Sequence, residues 1–226
     1  MKRCAIACLF WLALWLPLTD RTASAEPSPV AGVDVLIDVG HGGIDGGTSH
    51  GDLLEKQLNL MVGKKIYDRL NAMGIRVAIN RTHDFAPSDD NDWLATRSRH
   101  LRDLAQRKLL IDALNPKLTV SIHTNWAKNP SARGPGVLYQ LNQPSHILAH
   151  LLADRLNALY GTKAVPYTGN TFYLLHRSKT PAVIVEMGYI SNASDREMLT
   201  GKAGQTKIAE AVASAIVDYL IAFHVH

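Results

Sequence analysis

Residues Ile37–Lys56 read IDVGHGGIDGGTSHGDLLEK, and they join the end of an apolar run to the start of a helical pattern. Six of the twelve residues from Gly40 to Gly51 are glycine, which indicates a backbone that turns tightly or is closely approached. His41 lies among these glycines, and Glu55 stands where the helical pattern begins. A buried strand, a tight loop and a helix in this order are typical of an α/β domain.

The alternation of strand and helix patterns continues along the chain. We predict strands at Val33–Val39, Ile75–Asn80, Leu118–His123, Gly136–Leu141 and Ala182–Glu186, and helices at Glu55–Met73, Asp92–Leu114, Ser145–Tyr160 and Thr206–Phe223. This order predicts a single α/β domain in which helices flank both faces of a mostly parallel (mixed) central sheet. Ligands of such sheets bind outside the carboxyl ends of the strands, so we expect His41, His123 and Glu186 to share one crevice.

The first 25 residues have the three parts of a secretory signal peptide. Lys2 and Arg3 precede the apolar run Ala5–Leu18, and Ala23–Ala25 offers a small-residue cleavage site. An uncleaved anchor would need roughly 20 apolar residues, and this run is shorter. We therefore expect cleavage, export to the cell wall or an equivalent extracytoplasmic space, and no membrane anchor afterwards.

Cysteine usage and charge narrow the class of protein further. Cys4 and Cys8 lie in the predicted signal peptide, so the mature chain would have no disulfide and no cysteine metal ligand. The formal charge of +4 would fall to +2 on cleavage, and no basic run or basic patch with interleaved aromatic residues accompanies it. Nucleic acid is therefore not an expected partner.

The glycine-rich loop allows three interpretations. A phosphate-binding loop would need a GxxxxGK[ST] or GxGxxG pattern, which is missing after His41. Asp52 and Glu55 have the spacing of a helix capping box, with Asp52 as N-cap. Alternatively, one carboxylate and two imidazoles are a common set of catalytic zinc ligands, and Glu55 follows a histidine on a tight loop.

His123 and Glu186 also have structural alternatives. His123 ends the strand LTVSIH, where a histidine is often a core or rim residue whose hydrogen bonds are satisfied. Asn125 beyond it is either a donor that supports the site or a residue that forms a turn. Glu186 ends an apolar strand, where an ionised carboxylate is costly unless it is paired. It is therefore either the partner of an Arg or Lys, or a functional group with a raised pKa.

The other histidines and Ser121 give weaker signals. His146 and His150 are four residues apart, as helical zinc ligands would be, but HILAH lacks the glutamate of HExxH. A position on a helix surface or in a groove is the favoured interpretation. Ser121 lacks the GxSxG pattern of a serine hydrolase.

Three motifs in order, IDVGHGGIDGG…LLEKQLNL, TVSIHTN and TPAVIVEMGYISNASDREML, resemble the zinc-dependent N-acetylmuramoyl-L-alanine amidases of the Amidase_3 family. The likeness covers nearly all of residues 33–223. It implies a bacterial peptidoglycan hydrolase that cleaves the amide bond between N-acetylmuramic acid and L-alanine. The compact form is similar to the subgroup that acts on spore cortex during sporulation and germination.

The resemblance assigns His41, Glu55 and His123 as Zn²⁺ ligands and Glu186 as the catalytic carboxylate. This sequence departs from the family pattern at Val39 and Met187, and neither residue is an assigned ligand. Larger relatives carry a helical insertion that covers the metal, and the short segment WAKNPSARGPG leaves no room for one here. The implied domains are a signal peptide at 1–25, a linker at 26–32 and a catalytic domain at 33–226.

The resemblance also implies peptidoglycan as the substrate and leaves open a protein activator, on which some relatives depend. Two other functions are weighed against it. A zinc carboxypeptidase typically shows an HxxE pair, which the spacing of His41 and Glu55 does not provide. A non-catalytic wall-binding module would show a broken ligand set, whereas all four positions are filled.

Overall fold

The computed structural model describes residues 32–224. The predicted signal peptide and the predicted linker, apart from Gly32, lie outside the described residues. The strands are β1 (Val35–Val39), β2 (Ser49–His50), β3 (Leu53–Leu54), β4 (Val77–Ile79), β5 (Leu118–Asn125), β6 (Gly136–Tyr139), β7 (Tyr167–Thr168) and β8 (Ala182–Tyr189). The helices are α1 (Glu55–Ala72), α2 (Arg99–Leu114), α3 (Gln143–Tyr160), α4 (Tyr173–Arg177), α5 (Ala193–Thr200) and α6 (Lys202–His224), with a 3-10 turn at Pro87–Asp90.

Six strands form one mixed sheet in the order β4-β1-β5-β8-β6-β7. The first four of these run parallel, β6 is antiparallel to β8, and β7 is parallel to β6. This arrangement confirms the predicted mostly parallel sheet. It also brings the carboxyl ends of β1, β5 and β8 to one edge of the molecule, next to each other.

Helices cover both faces of this sheet, as predicted. The larger core contains side chains of β1 and β5 with the apolar faces of α1, α3 and α6. On the opposite face, Leu36 of β1 packs with Ile111 of α2 and Leu174 of α4. Because β1 is covered on both faces, all five of its residues are buried, which explains why four of the five are apolar.

Helix α1 follows directly from its sequence pattern. Leu58, Val62, Ile66 and Leu70 recur at three- and four-residue intervals, and all four side chains are fully buried. The helix ends before Gly74, which adopts a φ of 78° that favours glycine.

Several predicted boundaries were wrong. Helix α2 begins at Arg99 rather than Asp92, because the Ser98 side chain caps it by accepting the Leu101 N–H at 3.2 Å. Upstream, the Asn91 side chain accepts the Leu94 N–H at 3.1 Å, a local bond that competes with helix formation. Helix α6 starts at Lys202, four residues before the predicted start.

Short elements were not predicted at all. They are β2, β3, β7, α4 and α5, which have too few residues for a periodic pattern to be recognised. Within residues 32–224, no helix combines the length and the apolar character that crossing a bilayer requires.

Candidate metal centre

His41 leaves the carboxyl end of β1 in a left-handed backbone conformation, with a φ of 59°. This conformation is costly for a residue other than glycine and is concentrated at functional sites. The ring is held between two carboxylates: Nδ1 lies 3.2 Å from Oδ1 of Asp45, and Nε2 lies 3.2 Å from Oε1 of Glu55. Asp45 therefore fixes the orientation of the ring and leaves Nε2 facing Glu55.

Glu55 is the first residue of α1, and its side chain is buried. Oε2 accepts the N–H of Thr48 at 2.9 Å, and Oε1 accepts the N–H of Thr124 at 3.0 Å. The proposed capping box of Asp52 and Glu55 was wrong, because the helix starts at Glu55 and its carboxylate points to the carboxyl end of β5. The backbone N–H of Leu54 is instead accepted by Gln57.

His123 brings the second imidazole from β5. Its Nδ1 lies 3.1 Å from Oε1 of Glu55, and its ring meets that of His41 edge to face at a centroid distance of 5.1 Å. The donor atoms of His41, Glu55 and His123 all lie within 4.8 Å of one another. The three residues predicted as ligands are thus in one cluster that could hold a metal ion.

Two glycines make this cluster sterically feasible. A Cβ atom at Gly40 would lie 2.4–2.7 Å from three ring atoms of His123. At Gly47, whose φ is 67°, a Cβ atom would lie 2.5 Å from Oε2 of Glu55 and 2.8 Å from Cδ2 of His41. The glycines of the opening motif therefore serve close packing of the three side chains.

The electrostatics of the cluster are dominated by its own charges. Burial alone would raise the pKa of Glu55, but the two histidines outweigh burial and hold that pKa well below its usual range. Burial likewise disfavours a charge on His41, yet its contacts with Asp45 and Glu55 raise its pKa to about 9. A metal ion at this cluster would therefore have to displace a proton from His41.

Glu186 lies beside His123, because the two are register partners on the parallel strands β8 and β5. Neighbours in register point to the same face of a sheet, at strand spacings of about 4.8 Å. Oε2 of Glu186 is buried and has no hydrogen-bond partner among the described residues. Burial is the main cause that raises the pKa of Glu186, with the charge of Glu55 adding to it. Within residues 32–224, Glu186 forms no salt bridge with an Arg or Lys, so the structural alternative for this residue is not supported.

A cavity of about 510 Å³ opens over these side chains. Its lining includes all four predicted site residues: His41, Glu55, His123 and Glu186. Asn125 and the half-exposed rings of Trp126 and Phe172 lie at the same cavity. The cavity thus has a polar, charged floor and a partly aromatic wall.

Two buried arginines, which the sequence analysis missed, hold the backbone that leads into the loop. Arg81 donates to the carbonyls of Val39 and Gly40, at 3.3 and 3.0 Å. Arg107 donates to the carbonyls of Val39 and His41, at 2.7 and 3.0 Å. They add charged donors to carbonyl groups at the buried end of β1, where backbone polar groups need hydrogen-bond partners.

Arg107 also forms the centre of a buried ion-pair network beneath the site. It donates to Asp103 at 2.6 Å and to Asp38 at 2.7 Å, and Asp38 additionally accepts the hydroxyl of Ser121. Burial opposes the charge on Asp38, but Arg107 and Ser121 outweigh burial and lower its pKa. In the sequence, a charged residue inside the otherwise apolar strand VLIDV, Asp38, was a signal that a buried partner of opposite charge exists. Ser121 is structural here, which agrees with the absence of a serine-hydrolase motif.

Asn59 was missed as well, although it is fully buried one turn after Glu55. Its Nδ2 donates to Oε1 of Glu55 at 3.2 Å and to the carbonyl of Gly40 at 3.3 Å. Its Oδ1 accepts the hydroxyl of Thr124 at 3.0 Å. A buried amide four residues after a candidate ligand was the signal that could have identified it.

A comparison with protein families gives a match over residues 35–218 to Amidase_3, described as N-acetylmuramoyl-L-alanine amidase. The chain belongs to this family. The match covers most of the described residues and includes all four predicted site positions. The family expectation from the three motifs is therefore confirmed.

Named relatives agree with the family. N-acetylmuramoyl-L-alanine amidase LytC of Bacillus subtilis (strain 168) is 30% identical over 205 residues, which cover 89% of this chain and 38% of LytC. The germination-specific N-acetylmuramoyl-L-alanine amidase of the same organism is 30% identical over 197 residues, which cover 84% of this chain and 81% of that protein. This chain thus spans well under half of LytC but most of the germination-specific amidase.

Among solved structures, the CwlD amidase from Clostridioides difficile in complex with the GerS lipoprotein superposes with a TM-score of 0.78. It is 27% identical, and the match covers 84% of this chain and 98% of that one. The predicted α/β amidase fold is thereby confirmed.

Proposed function

We propose that this protein is a zinc-dependent hydrolase that cleaves the amide bond between N-acetylmuramic acid and L-alanine in peptidoglycan. The observation that carries the proposal is the unpaired, buried Oε2 of Glu186 next to a cluster of two imidazoles and one carboxylate. A buried carboxylate oxygen without a hydrogen-bond partner costs stability, so its presence in this cavity favours a catalytic role. Membership of the amidase family supports the choice of bond.

The donor set of the cluster fits Zn²⁺. Two histidine nitrogens and one carboxylate oxygen are typical ligands of catalytic zinc, which keeps a fourth position open. Ligands about 2.0–2.1 Å from a tetrahedral ion are about 3.3 Å apart. Oε1 of Glu55 lies 3.2 Å from Nε2 of His41 and 3.1 Å from Nδ1 of His123, which is close to that separation. We therefore assign these three residues as the ligands.

When bound, zinc supplies Lewis acidity, which polarises an amide carbonyl and makes water a stronger nucleophile. The residues around the ligands orient them for this task. Asp45 holds Nδ1 of His41 and so leaves Nε2 as the donor, while Asn59 and the N–H of Thr124 fix Oε1 of Glu55. Such supporting bonds tune both the orientation and the affinity of a metal site.

Glu186 carries the proton in this proposal. As a carboxylate it takes a proton from the water molecule that attacks the amide carbonyl carbon. It then delivers that proton to the nitrogen of L-alanine as the carbon–nitrogen bond breaks, which leaves a free muramic carboxyl group and a free amine. A pKa raised by burial suits both halves of this task, because the group can hold the proton between them.

The setting of the reaction is proposed from the relatives and from the sequence. We place the protein outside the cytoplasm, at cell wall or spore cortex peptidoglycan, in line with the signal peptide pattern of residues 1–25. The CwlD structure contains a lipoprotein partner, which supports a protein activator here as well. Activity measured alone and in cell extract tests that point: full activity in isolation would count against a required activator.

The reaction itself is tested on purified peptidoglycan with fragment analysis by mass spectrometry. New L-alanine amino termini and free muramic carboxyl groups are expected, with loss of activity on chelation and recovery on addition of Zn²⁺. Release of a free C-terminal amino acid with intact muramoyl–alanine bonds would show a carboxypeptidase instead. Binding to peptidoglycan without zinc and without cleavage would show a wall-binding module.

A further inference from the structure

His146 and His150 bring two imidazole rings close together on a different element from the site above. They lie one turn apart near the start of α3, and their two Nε2 atoms are 3.1 Å apart. The ring centroids are 4.4 Å apart. Neither residue lines the cavity over Glu186, so the proposed amidase reaction does not use them.

The backbone beneath this pair is firmly held. Asn142 caps α3 by accepting the N–H of Ser145 at 2.8 Å, and the fully buried Ser145 hydroxyl accepts the N–H of Ala182 in β8 at 3.0 Å. The ring of His146 also packs edge to face against Tyr139 of β6, at a centroid distance of 5.1 Å. The sheet therefore holds the start of α3 and one face of the His146 ring, while His146 remains exposed to solvent.

The spacing of the two nitrogens suits a metal ion. Two ligands about 2.0–2.1 Å from one ion are about 2.9–3.3 Å apart in square-planar or tetrahedral geometry. In the absence of an ion, the 3.1 Å separation fits a hydrogen bond from the Nε2–H of one ring to the Nε2 lone pair of the other. A cation can replace that shared hydrogen once the donating ring moves its proton to Nδ1.

We propose that His146 and His150 form a second metal site, which binds one divalent late transition-metal ion through both Nε2 atoms. Imidazole nitrogen is a preferred ligand of Ni²⁺, Cu²⁺ and Zn²⁺, with Cu²⁺ bound most tightly of the three. The solvent-exposed side of the pair leaves the remaining positions of the ion to water. The site stands independently of the proposed amidase function, since it shares no ligand with His41, Glu55 or His123.

Equilibrium dialysis of the purified protein against Ni²⁺ tests the proposal, with bound ions counted per chain. The variants are His146→Gln and His150→Gln, and the control is His176→Gln, which removes an exposed histidine elsewhere. Glutamine is a good helix former, and circular dichroism verifies that α3 remains folded. All four proteins keep His41, Glu55 and His123, so any difference between them reports on the second site.

The wild type and His176→Gln are expected to bind one more Ni²⁺ than either α3 variant, or to bind the additional ion at least tenfold more tightly. With Cu²⁺ as the probe, electron paramagnetic resonance should show coupling of the additional ion to two nitrogens in the wild type. Equal ion counts and equal affinities in the wild type and in His150→Gln would overturn the proposal.

Discussion

The proposed metal ligands pack so closely against Gly40 and Gly47 that one additional carbon atom at either glycine would clash with them. Gly40 lies against the ring of His123, and Gly47 lies against Glu55 and His41, so neither position has room for a methyl group. The left-handed conformation of His41 is tolerated because Asp45 and two arginine side chains hold the ring and the backbone around it.

Gly40→Ala is expected to weaken metal binding by at least tenfold, because its Cβ atom would displace the ring of His123. Gly46→Ala in the same loop is the matched control, since its Cβ atom would meet Leu54 at an ordinary contact distance of 3.5 Å. Competition with a chromogenic chelator measures both affinities. Equal zinc affinity in the two variants would show that His123 does not depend on the space at Gly40.

Asn59→Leu keeps the approximate volume of the side chain but removes its bonds to Glu55, Gly40 and Thr124. We expect stability to fall by about 1–3 kcal/mol, because buried polar partners are left unpaired. Zinc affinity should also fall by about 10–100-fold, as for other residues that support a metal ligand. Asn71→Leu, on the exposed side of the same helix, controls for the substitution. Urea unfolding and chelator competition measure both effects, and unchanged zinc affinity in Asn59→Leu would argue against its supporting role.

At the scale of elements, the carboxyl ends of β1, β5 and β8 bring the site residues together. Helix α2 supports them through Arg107, which binds the end of β1. This arginine pairs with Asp103 on its own helix and with Asp38 on β1. Arg107→Met is expected to destabilise the protein by about 3–5 kcal/mol, because two buried carboxylates lose their cation. Adding Asp38→Asn to that variant should recover part of the loss. A double variant no more stable than Arg107→Met in urea unfolding would contradict this account.

A second ion-pair cluster joins the opposite ends of β1 and β5 to that of β4. Asp34 precedes β1 and contacts Arg76, which precedes β4, at 2.9 Å, and Lys117, which precedes β5, at 3.0 Å. The hydrogen bond from Arg76 is the main reason that the pKa of Asp34 falls to about 2. A lowered pKa stabilises the fold above the unfolded value of 3.8, and this contribution is lost as the pH falls from there towards 2.

Asp34→Asn should therefore lower the thermal midpoint at pH 6 by roughly 1–3 °C, since solvent screens so exposed a cluster. The difference from the wild type should narrow as the pH falls from 4 towards 2. Calorimetry over this pH range measures it, and Arg76→Gln should show the same trend. A difference that stays constant down to pH 2 would contradict the assigned ion pair.

For the whole molecule, the sequence was sufficient to predict five of the six strands of the main sheet, the four long helices that flank it, and a shared crevice for His41, His123 and Glu186, while the roles of the four site residues stay a prediction. His41, His123 and Glu186 could be brought together from sequence because parallel strands place their carboxyl ends at one edge. Asp45, Arg81 and Arg107 could not be recognised, since their roles depend on a left-handed turn and on the way distant elements pack. The start of α2 was misplaced for a similar reason: polar side chains near Asn91 and Ser98 determine it, and apolar periodicity does not report on them.

The central claim is that His41, Glu55 and His123 hold the metal while Glu186 moves the proton. Zinc content and peptidoglycan hydrolysis, measured on the same preparations of wild type, Glu55→Gln and Glu186→Gln, separate these two functions. We expect Glu186→Gln to keep its zinc but to lose about 10²–10⁴-fold in rate, and Glu55→Gln to lose both. Hydrolysis at the wild-type rate by Glu186→Gln, or full zinc content in Glu55→Gln, would contradict the account.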